Sequence, residues 1–245
     1  MLVDQYIPRA IEILERVRAT QREPMLETAR LMTEAIVRGS SIFIFGSGHA
    51  AILAAEVFYR AGGLALINPI FADGLTPDVR PVTRTTGLER LEGYAQIILE
   101  TTPIRAGDVL IVHSVSGRNA VPVEMAREAR RRGVTVIALT SVAYASSVSS
   151  RHSSGQRLHE VADLVLDNCG EPGDAAVEVP GFEQRTGPTS DVVGAAMLHS
   201  VVAQVIGNLL ERGVTPPVFV SANLDQGDAH NQRILAEFAD RIHYL

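Results

Sequence analysis

The chain reads as an α/β protein built on a doubly wound, five-stranded parallel sheet, with a helical pair at its N-terminus. Three observations predict this. Short β-rich apolar runs alternate with segments of helical periodicity, the pattern of right-handed crossovers in a parallel sheet. Ala, Val, Ile and Leu dominate a sequence that is 46% hydrophobic but only 5% aromatic, which suits strands covered on both faces. Turn-forming Gly and Ser clusters follow the strand runs, where ligands bind in such sheets.

The elements follow in order. Tyr6–Arg18 carries Ile7, Ala10, Ile11, Leu14 and Val17 on one helical stripe. Pro24 opens a second helix that Gly39 ends. The two form an antiparallel pair (residues 1–40) whose stripes need a partner, either the core or another subunit. Residues 41–245 form the main unit. Ser41–Phe45 is the first strand, and Gly46-Ser47-Gly48-His49-Ala50 leads into a helix over Ala51–Arg60. Leu64–Ile67 is the second strand, Pro69–Gly87 a Pro-rich loop and Leu88–Glu100 a helix. Val109–His113 is the third strand, followed by a Ser/Gly loop and a helix over Val121–Arg132. Val134–Leu139 and Leu164–Leu166 complete the sheet, with Ser-rich Ser141–Gln156 between them. A long helix near Ser190–Glu211, an apolar run Val218–Ser221 and a helix near Gly227–His243 follow.

Composition excludes several chemistries. The net charge of −6 opposes general nucleic-acid binding. All 22 basic residues are Arg. A Schiff-base amine nucleophile and the Lys of a P-loop are therefore both absent. Phosphate must be held by backbone N–H groups, hydroxyls, helix dipoles or Arg. Cys169 is the only cysteine, which excludes an internal disulfide framework and fits a reduced, cytoplasmic setting. Met1–Gln5 has no signal-peptide pattern. Val192–Leu210 is uncharged and nearly long enough to span a bilayer, but its spread of Gly194, His199, Gln204 and Asn208 fits a buried helix. No His/Asp/Glu set has metal spacing. Capping explains Asp225, Asp228 and His230, so neither metal nor cofactor is expected.

Two strand-to-helix turns have the composition of a phosphate cradle. Ser47 and Gly48 lie in the first, where glycine permits close backbone approach and a helix start presents free N–H groups; the alternative is a bare tight turn. The second, Ser114-Val115-Ser116-Gly117-Arg118-Asn119, offers hydroxyls, an amide and a guanidinium at a helix start that Pro122 favours. An N-cap needs one such residue rather than four. Ser114, Ser116, Gly117, Arg118 and Asn119 are therefore candidate phosphate ligands.

With those residues in place, the chain resembles the sugar isomerase (SIS) domain family. That family has a Ser-x-Ser-Gly-x-Thr phosphate loop after a central strand and an earlier Gly-rich turn. Ser114, Ser116 and Gly117 match; Asn119 stands where Thr is usual, and Ala50 where a Ser often closes the first turn. Longer stretches resemble a separate branch of SIS-domain phosphosugar-binding proteins. They include Glu56–Gly63, Ser116–Ala120, Ser150–Gly155, Gly187–Ser190 and Pro216–Asn223. The resemblance implies a flavodoxin-like sheet, a phosphosugar ligand, and homodimers or homotetramers with sites near subunit contacts.

Aldose–ketose isomerisation needs a base beside the carbonyl and a donor for the enediolate oxygen. Glu56 lies six residues beyond Ala50, ~9 Å along its helix, and Ala54-Ala55-Glu56 with Arg60 resembles the base-bearing helix of heptose-phosphate isomerases. The competing reading is a solvated Glu56–Arg60 pair. His152, in its Arg/Ser cluster, and His49, in the first turn, are candidates to assist. His113 and His199 read as packed, although family isomerases carry a catalytic His on this late helix. The expected function is a sugar-phosphate isomerase. The alternatives are a non-catalytic phosphosugar sensor and a lyase that cleaves a sugar ether.

Overall fold

The computed structural model describes residues 1–245. Its helices are α1 (Val3–Thr20), α2 (Arg22–Val37), α3 (Ala51–Val57), α4 (Thr83–Leu88), α5 (Tyr94–Thr101), α6 (Ala120–Arg131), α7 (Val142–Ser147), α8 (Leu158–Val161), α9 (Ser190–Glu211) and α10 (Gly227–Glu237). The strands are β1 (Ile42–Gly46), β2 (Ile67–Ile70), β3 (Val109–His113), β4 (Thr135–Thr140) and β5 (Leu164–Asp167). They form one parallel sheet in the order β2-β1-β3-β4-β5. The expected α/β class and strand number are both present.

Alternation along each strand divides the core into two layers. Ile42, Ile44, Val109, Ile111, Ile137 and Leu139 face α1, α2, α3 and α9. Phe43, Phe45, Leu110, Val112, Val136 and Ala138 face α5, α6 and α8. Both faces of β1 and β3 are buried, so their sequences read as continuous apolar runs. Ile13 and Val17 of α1 and Met32 and Ile36 of α2 belong to the first layer, which supplies one partner for the N-terminal stripes. Ser190–Glu211 is long and apolar enough to cross a membrane, with mean hydropathy 1.6. Here Val193, Met197, Val201 and Val205 are buried in that same layer.

Several boundaries differ from expectation. The second strand runs over Ile67–Ile70 rather than Leu64–Ile67. Leu64 instead forms an isolated antiparallel bridge with Val218, so the apolar run Val218–Ser221 caps the sheet's rim without adding a strand. The helix expected over Leu88–Glu100 begins only at Tyr94, after Gly93 at φ 88°, and a short helix, Thr83–Leu88, lies within the segment expected to be loop. Glu89 and Glu92 thereby lie in a connection. The first-turn helix ends at Val57 rather than Arg60, and Tyr59 takes φ 40°. The last helix ends at Glu237.

The turn after β1 tolerates no side chain at Gly46: a Cβ there would collide with the Ala50 carbonyl. Gly46→Ala should therefore cost about 1–3 kcal/mol as an overpacked site, lowering Tm by roughly 2–12 °C for a chain of this size. Calorimetry checks this, and an unchanged Tm would contradict the geometry.

Candidate functional site

β1 and β3 are neighbours although β2 lies between them in sequence, so the sheet changes winding direction between them. That switch point is where open α/β sheets bind ligands. Gly46 pairs with His113 across it, which sets the two turns side by side. His113 is fully buried, and its Nδ1–H donates to the Ala50 carbonyl at 3.1 Å, tying the end of β3 to the first turn. Burial holds its pKa down at about 4, so it is neutral and structural.

The second turn is an open cradle. The Ser114 and Gly117 amides are engaged with Leu139 and Ser114 carbonyls, but those of Ser116, Arg118, Asn119 and Ala120 donate to no group of the protein. They lie at the start of α6, where unsatisfied N–H groups and the helix dipole favour an anion. Gly117 turns the chain at φ 55° with Thr140 Oγ1 close by.

The other candidates are already occupied. Gly48 N–H donates to the Leu75 carbonyl at 2.7 Å. Ser47 Oγ–H donates to Glu89 Oε2 at 3.1 Å. Asn119 Oδ1 accepts from Arg151 Nη1 at 2.9 Å, and its side chain also steadies Glu89. Arg118 is drawn to Ser149 through Nε and Nη2, at 2.9 and 3.1 Å. Ser47 and Asn119 thus orient Glu89, a carboxyl that sequence reasoning passed over as a charge on an uninterrupted helix. Burial pushes its pKa up, opposed by the bonds from Ser47 and Asn119. The guanidinium of Arg151 feels both Arg118 and Arg90. These three pair with no carboxylate, whereas Arg130, Arg157 and Arg185 do.

A second cluster lies along the groove between α3 and α9. His199 Nε2 is 3.1 Å from Glu56 Oε1 and 3.4 Å from Arg60 Nη1, which also binds Glu56. Since a carboxylate can only accept, His199 donates from Nε2. This hydrogen bond, then the Arg60 charge, holds the Glu56 carboxyl below its ordinary range. The expectation that His199 is packed is corrected: it is about 40% exposed and faces the groove. The registration has a simple cause. Gly194 admits Leu53, whose Cδ1 would lie 2.5 Å from a Cβ at that position. Two helical turns below, His49 is near enough to Asp191 for the charges to interact.

His152 does not join this cluster. Its Nδ1 is 2.8 Å from Ser154 Oγ, and Ser153 is anchored to Glu92 through its amide and hydroxyl at 2.6 and 2.7 Å. That loop borders the cradle, since Arg151 N–H donates to the Arg118 carbonyl at 2.7 Å. His230 Nε2 donates to the Val218 carbonyl at 3.0 Å. No group of three or more His, Cys, Asp or Glu side chains is arranged to hold a metal ion.

A model of the SIS domain matches residues 5–141. This chain belongs to the SIS-domain family. It is 51% identical to a UPF0309 protein of Shouchella clausii over 99% of both chains, and 46% identical to one of Oceanobacillus iheyensis over 98% of both. Among solved structures it shares the fold of a phosphoheptose isomerase from Francisella tularensis. The TM-score is 0.55 at 15% identity, covering 82% of this chain and 94% of the other. The phosphoheptose isomerase GmhA of Neisseria gonorrhoeae gives 0.53 at 21% identity, covering 82% and 95%.

Two outcomes follow from the SIS-domain site. Gly194→Val should push α3 from α9, separate Glu56 from His199 and cost about 1–3 kcal/mol; in an NMR titration the Glu56 carboxyl should then move back up toward its ordinary range. A raised carboxyl pKa in the fold means that Glu89 stability is present at low pH and is lost as pH rises from its ordinary value of 4.5 upward. Glu89→Gln should therefore raise Tm relative to the unsubstituted protein at pH 8 and lose that advantage at pH 4.

Proposed function

We propose that this SIS protein binds a sugar phosphate and interconverts its aldose and ketose forms. The observation that carries this reading is the Glu56–His199 pair, on a helix that starts from the turn bonded through His113 to the strand carrying the open cradle. Four free amides at a helix start, with the Ser114 and Ser116 hydroxyls, suit three phosphate oxygens. Arg90, Arg118 and Arg151 against one Glu89 leave a local charge that a phosphoryl group of about −1.5 to −2 brings close to neutrality. Glu56 lies six residues up the helix from Ala50 in the neighbouring turn, a rise of ~9 Å, about the length of an extended sugar chain.

The chemistry follows from the protonation states. Glu56 is ionised, so its carboxylate takes the proton from the carbon next to the carbonyl. The electron pair moves into the C–C bond, and the carbonyl oxygen becomes an enediolate oxygen that receives a proton from His199. Glu56 returns its proton to the former carbonyl carbon, while the second oxygen gives its hydroxyl proton back to His199 and re-forms a carbonyl. Arg60 stabilises the negative charge that passes between them.

Glu89 favours one other reading. Burial shifts its carboxyl toward the protonated form, the direction an acid for a leaving group needs, so an ether-cleaving lyase would use Glu56 as base and Glu89 as acid. Mass analysis of products separates the two, since isomerisation leaves mass unchanged and elimination releases a carboxylic acid. In a phosphosugar sensor, ligand affinity and biological effect would survive Glu56→Gln intact.

Self-association belongs to the same proposal. The Glu56–His199 pair is about 40% exposed, and enediolate chemistry benefits from excluding water. Ile7, Ile11, Val192 and Leu210 are between 46% and 64% exposed on α1 and α9, an apolar surface that a second copy would cover. Ile11→Asp should shift the chain toward monomer in sedimentation experiments and lower turnover.

Glu56→Gln should lower kcat by about 10²–10⁴-fold, the range of a lost general base, with ligand affinity kept. Ser116→Ala should weaken phosphosugar affinity roughly 10- to 100-fold, as loss of a charge-assisted bond predicts. Turnover and titration of a hexose, amino-sugar and heptose phosphate panel check both. Unchanged values in both variants would overturn the proposal.

A further inference from the structure

Beyond the acid/base pair lies a cavity of about 170 Å³ whose walls include Tyr59, Arg60, Phe219, Val220, Ser221 and Asn231. Its far wall is held firmly. Gly62 N–H donates to the Phe219 carbonyl and Phe219 N–H to the Gly63 carbonyl, at 2.8 and 3.0 Å. The Asn231 side chain clamps both the N–H and the C=O of Val220, at 3.0 and 2.9 Å. Gly227 lies so close to the Ser221 carbonyl that no Cβ fits between them. The segment Pro216–Asn223, for which the sheet has no use as a strand, is thus a rigid pocket wall.

Tyr59 forms the opposite wall under strain. Its φ of 40° is costly for a bulky residue. Its ring stays 59% exposed, edge-on to Phe219 at 5.3 Å, so burial does not compensate the strain. Strained, exposed aromatics that line cavities are candidates for ligand contact.

We infer that this cavity takes a small uncharged acyl substituent of the sugar, an N-acetyl group being the simplest, so that the substrate is an N-acylated amino-sugar phosphate. The inference rests on the phosphosugar reading above and names its substrate class. Arg60 links the two sites, because its guanidinium lines the cavity and also binds Glu56. An acyl methyl would lie against Tyr59 and Phe219, and its carbonyl would accept from Arg60 or from Ser221 Oγ. The volume holds a group of about five heavy atoms, allowing ~30 Å³ for each as for water, enough for an acetyl group. A carboxylate fits less well, since the only cation there is already neutralised by Glu56.

The experiment is isothermal titration with glucose 6-phosphate, glucosamine 6-phosphate, N-acetylglucosamine 6-phosphate and inorganic phosphate. The unsubstituted protein should prefer the N-acetyl compound by on the order of tenfold or more, the discrimination a fitted apolar group provides. Tyr59→Gly, which suits the backbone at that φ, should abolish the preference while leaving glucose 6-phosphate affinity unchanged. Ser221→Ala should reduce it. Equal affinity for the acylated and unacylated sugars, or equal weakening of both by Tyr59→Gly, would overturn the inference and leave the phosphosugar reading standing. Binding of inorganic phosphate alone would also overturn it. Failure of that reading would show differently, as no phosphate compound binding in a Ser116-dependent way.

Discussion

The parallel pairing of β1 with β3 is the constraint from which the site descends. With Gly46 opposite His113, both Gly/Ser turns emerge on the same edge of the sheet, and the buried His113 ring bonds one turn to the other. Neither turn could be moved by a residue without reversing every core-facing side chain of its strand. The cradle at the start of α6 and the direction of α3 are therefore fixed by the same packing that stabilises the domain. From there α3 carries Glu56 upward, and Gly194 lets α9 approach closely enough to bring His199 to it.

The two carboxyls of the site are set to opposite tasks by their surroundings. Glu56 accepts from His199 beside Arg60 and stays ionised. Glu89 is drawn inward, where burial outweighs the bonds from Ser47 and Asn119. Paired titratable groups pushed apart in pKa are a recurring feature of acid/base sites. The arginines complement them. With no Lys in the chain, cationic character around the second turn comes from Arg90, Arg118 and Arg151, none of which pairs with a carboxylate.

Much of the fold was legible in the sequence, because buried parallel strands are continuous apolar runs and their turns are marked by Gly and Ser. The errors have physical causes. Leu64–Leu66 is apolar because it is buried in the first core layer and bridged to Val218, which a strand pattern cannot distinguish from sheet pairing. The helix expected through Glu89 starts only after a left-handed Gly93, so Glu89 lies in a connection and its carboxyl is half-buried. His199 looked like a core residue on an apolar helix, and only the α3–α9 register shows it beside Glu56. His152 stood out for its polar neighbours, yet those neighbours bind one another and Glu92. Local composition marks the Ser114–Asn119 turn, while the Glu56–His199 contact joins residues 143 positions apart.

The central claim is that the groove between α3 and α9 removes a proton from the carbon beside a sugar-phosphate carbonyl. Solvent exchange tests it most directly. When the protein is incubated in D₂O with the sugar phosphate that it binds best, NMR should show deuterium entering at that carbon, and Glu56→Gln should abolish the exchange without loss of binding. A ligand held at the Ser116 cradle that acquires no deuterium from the unsubstituted protein would contradict it.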